Sequence, residues 1–330
     1  MSSRLRLLRL LAVWSMLLPV FTSCIREYLE ECPQEYALRF RYDYNMKFKD
    51  LFADQVEDLS VYVFDKDGKY VRTVTDRGER LRDSEYKLIL PLAPGHYCFV
   101  VWAGLDGGCF NPVSLQSGIS EENDLSLLLY RNDNGEVPCD RPLAALWHSR
   151  LEAVEVFGPG TLQTDTLNLI KDTNTIRIIL QQRDGSLLRA SDFDIRIDCP
   201  AGNGLLAHDN DLLPDRPLVY RPYALSDGVS ENAPRLPQVT AGFSVSRLTV
   251  GDAMRLRIGK KAGGGYLIDI PLVDYLLMTQ HEQDARILSD QEYLDRQDVY
   301  SILLYLDGDR WFDSLIIING WALRPGSVDL

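Results

Sequence analysis

The six cysteines have the most reactive side chains of this sequence, and their spacing determines which reactions they can take part in. Cys24 directly follows two small residues, Thr22 and Ser23, whereas the other five are spread from Cys32 to Cys199. No two of the six have CxxC spacing, so the pattern predicts neither a metal site nor a redox-active pair. Without Cys24 the count is odd, and at least one thiol has no partner.

The segment before Cys24 has the layout of a bacterial export signal. Three arginines precede an apolar run over residues 10–20, which is too short to span a bilayer because a spanning helix needs about 20 apolar residues. The Thr22-Ser23-Cys24 ending resembles a lipobox, although Phe21 replaces the usual aliphatic residue. We therefore predict a signal peptide over residues 1–23, cleavage between Ser23 and Cys24, and an N-palmitoyl, S-diacylglyceryl cysteine at Cys24; a secreted protein cut near Ser23 is the alternative.

Acylation of Cys24 would make the rest of the chain a folded protein on a lipid tether. Two or more acyl chains hold a protein stably in a membrane, since each buried CH₂ contributes about 0.8 kcal/mol. Residues 24–35 are acidic and lack periodicity, with Glu27, Glu30 and Glu31 close to the lipid site. They are interpreted as a solvated tether or, alternatively, as a surface-export signal of the kind that Bacteroidetes lipoproteins carry.

Two of the remaining cysteines, Cys109 and Cys139, lie in loop-like sequence, GGCFNP and EVPCDRP. Disulfides form outside the inner membrane, and this pair is the first candidate for one. Two buried thiols are the alternative.

No catalytic, metal or cofactor motif is present. The four histidines are widely separated, and Gly263-Gly264-Gly265 lacks the Lys-Ser/Thr of a phosphate loop, so a hairpin turn is predicted there instead. The formal net charge of −13 for 330 residues disfavours nucleic acid, because phosphate binding needs clustered Lys and Arg. We predict no enzyme activity, no small-molecule substrate and no cofactor.

The elements that must position these residues are mostly strands. Apolar and polar residues alternate in segments such as ALRFRYDY and TIRIIL, the period of two that is expected when one face of a strand is buried. Asp67-Gly68 and Asp307-Gly308 predict tight hairpins. Runs of strands without alternating helices indicate antiparallel sandwiches. The all-β fold is divided into domains at 36–170 and 171–330, with short helices after Pro271 and after the Ser289 cap.

The residues also resemble a known family. CIREYLEECP, LRFRYDYN, the VYVFDKDGKYV hairpin and LPLAPGHYCFVVWAGL are similar, in order and spacing, to the N-terminal half of the fimbrial anchor lipoproteins of Bacteroidales, the FimB-type anchors of major and minor fimbriae. The match covers residues 24–105 well, and the C-terminal IIINGW run fits more loosely. The resemblance implies two transthyretin-like sandwich domains and carries over one residue, Cys24; it also expects a cysteine at Cys32, for which the sequence offers no evident partner.

Such anchors attach a filament to the outer membrane and are linked to its length. The resemblance thus implies a lipid-anchored outer-membrane protein at the cell surface, whose partner is a fimbrial shaft subunit joined by strand addition. The apolar run from Leu315 to Ile318 suggests that the C-terminal segment, residues 314–330, contributes to that junction, with a central core strand as the alternative.

A glycan-binding surface lipoprotein is the competing function. Exposed aromatic side chains would then stack on sugars, and the alternative for each is core packing. The candidates are Trp102, Trp147, Trp311 and Trp321.

Overall fold

The computed structural model describes residues 35–137, 141–158, 162–230, 235–278, 280, 288–318 and 321–323. Helices in this part of the chain are few and short: α1 (Phe52–Gln55), α2 (Leu272–Leu277) and α3 (Asp290–Arg296). The strands are β1 (Glu35–Arg41), β2 (Asp58–Asp65), β3 (Tyr70–Arg77), β4 (Lys87–Leu90), β5 (Gly95–Ala103), β6 (Phe110–Pro112), β7 (Ser126–Leu129), β8 (Glu136–Val137), β9 (Trp147–Val156), β10 (Leu162–Asn168), β11 (Ile170–Lys171), β12 (Asn174–Gln182), β13 (Phe193–Cys199), β14 (Leu205–Ala207), β15 (Leu218–Tyr220), β16 (Ala224–Val229), β17 (Pro237–Val245), β18 (Arg255–Lys260), β19 (Tyr266–Pro271), β20 (Val299–Asp307), β21 (Arg310–Ile318) and β22 (Trp321–Leu323). The prediction of an all-β fold is confirmed.

The first sandwich packs a three-stranded sheet, ordered β10-β1-β4, against a five-stranded sheet, ordered β11-β9-β5-β2-β3. Its core lies between them and contains Leu38, Phe40, Val61 and Phe99, all buried. β9 and β10 are consecutive but belong to different sheets, because β10 pairs in parallel with β1 along seven residues.

The central strand β5 is buried on both faces. Phe99 and Val101 point into the first core, whereas Val100 and Trp102 belong to a second cluster that extends into the other half of the chain. This double burial explains the continuous apolar run CFVVWA, which departs from the alternation of a half-buried strand. Strands β6, β7 and β8, together with the loops around them, contribute residues such as Phe110 to the cover of this face.

The second sandwich packs a six-stranded sheet, ordered β16-β17-β12-β20-β21-β22, against a five-stranded sheet, ordered β19-β18-β13-β15-β8. Ile176, Ile178 and Leu180 of β12 lie on one buried face, as the alternation predicts. Most pairs are antiparallel, as predicted. Three are parallel, namely β1 with β10, β12 with β20 and β15 with β8, and they join strands far apart in sequence.

The predicted turns and caps lie where the local sequence placed them. Gly68 has φ 72° between β2 and β3, and Gly308 has φ 61° between β20 and β21. Gly263, the first of three consecutive glycines with positive φ, lies between β18 and β19. Ser289 Oγ accepts a hydrogen bond from the Glu292 amide at 3.2 Å and caps α3.

The division of the chain at residues 170–171 stays a prediction. Strands β7 and β8 precede that point, yet they pair with β14 and β15, which follow it. The residues between β5 and β9 therefore complete sheets of the second half. None of the described helices has both the length and the apolarity that a membrane crossing requires.

Candidate attachment site

The chain enters its first sandwich through β1, the strand that follows the predicted tether. β1 is the middle strand of its sheet, antiparallel to β4 on one side and parallel to β10 on the other. Leu38 is fully buried, and the Tyr36 hydroxyl donates a hydrogen bond to Asp165 of β10 at 2.9 Å. Burial, together with that carboxylate, raises the pKa of Tyr36 far above its ordinary value. The position between β4 and β10 is thus filled by the protein's own first strand.

The exit of β1 is fixed to the second half of the molecule. Tyr42 packs edge-to-face against Trp147, with ring centroids 5.9 Å apart. Beyond it, the Arg296 guanidinium at the end of α3 lies 3.9 Å from the centroid of the Tyr44 ring, and its backbone carbonyl accepts a hydrogen bond from the Met46 amide at 3.2 Å. These contacts tie β1 to both sandwiches.

At the other end of the chain, β21 lies between β20 and the three-residue β22. Leu315 is half-buried, and Phe312 is 52% exposed with the Arg183 guanidinium 4.3 Å from its ring centroid. The side chains of residues 316–318 and everything after residue 323 lie outside the described residues. The strand is interior to its sheet, and a role for residues 314–330 in a junction stays a prediction.

Two of the four tryptophans that were candidates for stacking on glycans are buried. Trp102 has no exposed surface and Trp147 is 3% exposed, because both pack into cores. Trp311 is half-buried, and its ring N–H donates to the Asp313 carbonyl at 3.1 Å. Only the backbone of Trp321 is described. Core packing, the alternative for each position, therefore accounts for Trp102 and Trp147.

Cys24 and Cys32 lie outside the described residues, as does Cys139. Cys109 is half-buried, and its sulfur accepts a hydrogen bond from the Ala144 amide at 3.3 Å. No disulfide joins Cys98, Cys109 and Cys199, the cysteines within the described ranges, to one another. The Cys109–Cys139 pairing and the lipidation of Cys24 stay predictions.

The three described histidines do not form a metal-binding cluster. His96 is exposed, His208 is half-buried, and His281 lies outside the described residues. His148 is buried with its Nε2 2.9 Å from the His208 carbonyl oxygen, and this burial lowers its pKa to about 4. In the part of the chain that the structure describes, no group of three or more His, Cys, Asp or Glu side chains could hold a metal ion.

Sequence reasoning missed a buried polar cluster where the two sandwiches meet. Asp172 lies between β11 of the first and β12 of the second, fully buried. Arg247 forms an ion pair with Asp295 of α3, with Nη2 3.2 Å from both carboxylate oxygens, and donates to the Asn210 carbonyl oxygen. No local signal distinguishes Asp172 from the many other aspartates between strands, because its partners are distant in sequence.

The segment PLVYRPYAL, residues 217–225, contributes to two strands. β15 ends at Tyr220 and β16 begins at Ala224. Pro222 cannot donate a backbone hydrogen bond, and Tyr223 donates to the Gly242 carbonyl at 2.9 Å at the start of the new ladder. Pro222 thus explains why the two strands are separate.

Comparisons with known proteins agree with this architecture. The family model of the fimbrillin-A associated anchor proteins Mfa1 and Mfa2 matches residues 29–324. A comparison with curated proteins finds no significant match.

Solved structures extend the comparison. A Bacteroides thetaiotaomicron protein with a provisional polysaccharide-binding description is 35% identical, with a TM-score of 0.78, covering 90% of this chain and 99% of its own. A provisional adhesin of the same organism is 30% identical, with a TM-score of 0.77 and coverage of 89% and 98%. The fimbrial anchor protein Mfa2 of Porphyromonas gingivalis, at 20% identity, shares the fold, with a TM-score of 0.68 and coverage of 89% and 99%.

The family model spans nearly the whole length of the folded chain, from the predicted tether to β22. The chain therefore belongs to the family of fimbrillin-A associated anchor proteins.

Proposed function

We propose that this protein is the base of a fimbrium, held in the outer membrane at the cell surface through acyl chains on Cys24. The observation that carries the proposal is the family match over residues 29–324, which begins five residues after the lipobox-like Cys24. Ten residues lie between Cys24 and Glu35, where β1 begins. Fully extended, this tether would reach at most about 40 Å, so the folded part would stand close to the membrane.

The partner in this proposal is a fimbrial shaft subunit, bound by strand addition. Main-chain hydrogen bonds to an open sheet edge give affinity, and pockets for alternate side chains give specificity. The burial of β1 between β4 and β10 supports this arrangement. Because the protein keeps its own first strand in that sheet, no strand of another subunit can be added there. The filament therefore joins at a different edge, and growth stops at the anchor. This arrangement is how we propose that the protein limits filament length.

Replacing Cys24 with Ala tests the tether. We expect the variant to lose incorporation of labelled palmitate, and fimbriae to appear in the culture medium instead of on cells. Cys32→Ala is the matched control, since it changes the same residue type eight positions away and leaves the acylation site intact. Fimbriae that remain on cells expressing Cys24→Ala contradict the proposal.

The C-terminal segment is a second part of the proposed junction and needs its own test. Deleting residues 322–330 removes most of β22, whereas deleting 324–330 leaves it in place. If the segment contributes to the junction, both deletions reduce capture of purified fimbriae. If the variant that lacks residues 322–330 folds and captures fimbriae normally, the C-terminal segment contributes to the core and not to the junction.

Glycan binding is the second candidate function, and one observation favours it. The relative at 35% identity carries a provisional polysaccharide-binding description. The burial of Trp102 and Trp147 counts against stacking at those positions. A glycan array probed with the full chain tests this candidate, and the absence of binding removes it.

A further inference from the structure

β16 forms one edge of the six-stranded sheet. It pairs with β17 through six consecutive residues, from Ala224 opposite Gly242 to Val229 opposite Pro237. On its other side no strand pairs with it among the described residues. Its ladder has no register shift, so it is a regular and open edge.

The orientation of its backbone groups follows from one hydrogen bond. Ser230 donates to the Leu236 carbonyl at 2.8 Å, which makes that pair a hydrogen-bonded one in an antiparallel ladder. Such pairs alternate along the strand. The N–H and C=O groups of Leu225, Asp227 and Val229 therefore point away from β17, and they form three donors and three acceptors along the open edge.

The side chains of this edge are unusual for an outer strand. Leu225 lies opposite Ala241, which belongs to the buried core, so both are on the core side of the sheet. Leu225 is nevertheless 36% exposed and Val229, on the same side, is 54% exposed. On the core side of β16, Leu225 and Val229 therefore form a partly exposed apolar ledge, which Asp227 interrupts; the Asp227 side chain is covered by the Ala190 amide that donates to it.

Other open edges carry features that prevent pairing. β22 has three residues, and β4 is followed directly by Pro91. β19 ends at Pro271, which has no N–H to donate. Natural edge strands use shortness and proline in this way to block further strands.

Two longer edges are engaged near one end by a loop or by a neighbouring strand. On β3, the Tyr70 amide donates to Ser120 and its carbonyl accepts from Gly118. On β10, Gln163 Nε2 donates to the Glu155 carbonyl of β9 at 2.9 Å, which closes the corner between the sheets. β16 has no lysine and no proline, and its one charged side chain, Asp227, accepts a hydrogen bond from the Ala190 amide at 2.5 Å.

We propose that β16 is the acceptor edge for the filament, and that an extended segment of the adjoining fimbrial subunit adds to it as a seventh strand. This assignment rests on the proposed function as a fimbrial anchor. The added strand hydrogen-bonds the outward backbone groups of Leu225, Asp227 and Val229, and it lays apolar side chains over Leu225 and Val229. A basic side chain of the partner faces Asp227, in keeping with the net charge of −13 of this chain.

A second copy of this chain fits the edge less well. The antiparallel register that pairs all three outward residues of one copy with those of another places Asp227 directly opposite Asp227. Like charges at directly opposite positions destabilise a pair of strands. A different chain with a basic residue at that position avoids this repulsion.

Val229→Pro tests the assignment because proline removes only an N–H that points outward. The ladder with β17 keeps its hydrogen bonds, and the strand geometry tolerates proline at an edge. Val229→Thr is the matched control, since it is also β-branched and keeps the N–H. With purified sheared fimbriae as the probe, we expect Val229→Pro to weaken capture about tenfold and Val229→Thr to bind normally.

Amide hydrogen exchange of the unsubstituted protein gives a second measurement that does not depend on a variant's folding. Fimbriae are expected to protect the amides of Leu225, Asp227 and Val229. Equal capture by the two variants, or unchanged exchange across residues 224–230, overturns the assignment. Cys24→Ala separates the two proposals: fimbriae shed from that variant uphold the anchor even if β16 is not the edge, whereas fimbriae retained on cells refute the anchor itself.

Discussion

Asn210 Nδ2 donates to Asp172 Oδ1 at 2.8 Å, and Asp172 Oδ2 and Asn210 Oδ1 are both buried without a hydrogen-bond partner among the described residues. One proton on Asp172 Oδ2 would satisfy both oxygens at once, in a ring of two hydrogen bonds between a carboxylic acid and an amide. Asp295 already neutralises Arg247, whose Nε is 3.8 Å from Asp172 Oδ1. Burial raises the pKa of Asp172 to about 7, with Arg247 and Asn210 opposing the shift.

This cluster gives the protein a pH-dependent stability. Asp172 ionises near pH 7 when folded but near its ordinary value of 3.8 when unfolded, so the unfolded state releases the proton first. Its contribution to the free energy of unfolding is largest below about pH 4 and declines as the pH rises to about 7. Asp172→Asn keeps both hydrogen bonds without the charge, and at pH 8 we expect it to be more stable than the unsubstituted protein by up to about 4 kcal/mol.

Urea unfolding at several pH values measures this difference. Other groups titrate in the same range: His148, whose lowered pKa destabilises the fold below about pH 6, and Asp252, whose pKa burial raises to about 6. Comparing the variant with the unsubstituted protein at each pH cancels their effects. Asp133→Asn, at an exposed loop carboxylate, is the control and leaves the curve unchanged. A difference that does not grow with pH contradicts a protonated Asp172.

The contact between Arg296 and the loop after β1 helps to join the two halves of the molecule. Arg296 stacks on Tyr44 and is 4.9 Å from the centroid of the Phe48 ring, while its Nε lies 2.8 Å from Glu292. Replacing Arg296 with Ala removes these contacts and is expected to cost about 2 kcal/mol. Hydrogen exchange of residues 43–50 should accelerate.

Arg80→Ala is the matched control for that change, because Arg80 is 73% exposed and its ion pair with Asp76 contributes little. Its effect on the free energy of unfolding should stay within about 0.5 kcal/mol. If both variants unfold at the same urea concentration, the Arg296 contact does not stabilise the joint.

Local structure was predictable from this sequence wherever neighbouring residues decide it. The Asp67-Gly68 turn follows from the positive φ that glycine permits, and Ser289 caps α3 through an amide three residues away. The buried face of β12 follows from alternation alone. In each case the determining residues lie within one strand or one turn.

Pairings between distant segments could not be predicted in this way. Nothing local in β1 shows that it lies beside β10, more than 120 residues later, or that β8 completes a sheet of the second half. The same holds for the cluster at Asp172, whose partner Asn210 comes from a turn 38 residues away. The alternation of apolar and polar residues indicates that one face of a strand is buried, but it does not identify the strands that pack against that face.

The turn after β5 provides a test of backbone constraint. Gly104 has φ 92°, and a Cβ there would overlap the carbonyl oxygen of Ala145. Gly108, four residues later, has φ 68° and open space around the equivalent position. Gly104→Ala is therefore expected to cost about 3 kcal/mol, from strain and overlap together, and Gly108→Ala about 1 kcal/mol, from strain alone. Equal losses in thermal unfolding would contradict the role of the Ala145 contact.

The cysteines differ in reactivity for a physical reason. The Cys98 thiol is buried and donates to Glu122 Oε1 at 2.9 Å, and burial together with that carboxylate raises its pKa to about 12. Cys199 is buried beside Asp252, and its pKa is also raised far above the ordinary value. Thiolates are the reactive form, so neither residue should react with iodoacetamide at pH 8 in the folded protein, and both should react in guanidinium.

The same labelling experiment decides the disulfide. If Cys109 and Cys139 are paired, the folded and oxidised protein yields a peptide pair joined at these residues, and reduction releases it. Cys109 then becomes open to alkylation, because this residue is half-buried and lies directly before β6. Rapid labelling of Cys109 before reduction shows that the pair does not form. In that case Cys109 is a free thiol, and the loop is held by packing and by the hydrogen bond from the Ala144 amide to the Cys109 sulfur.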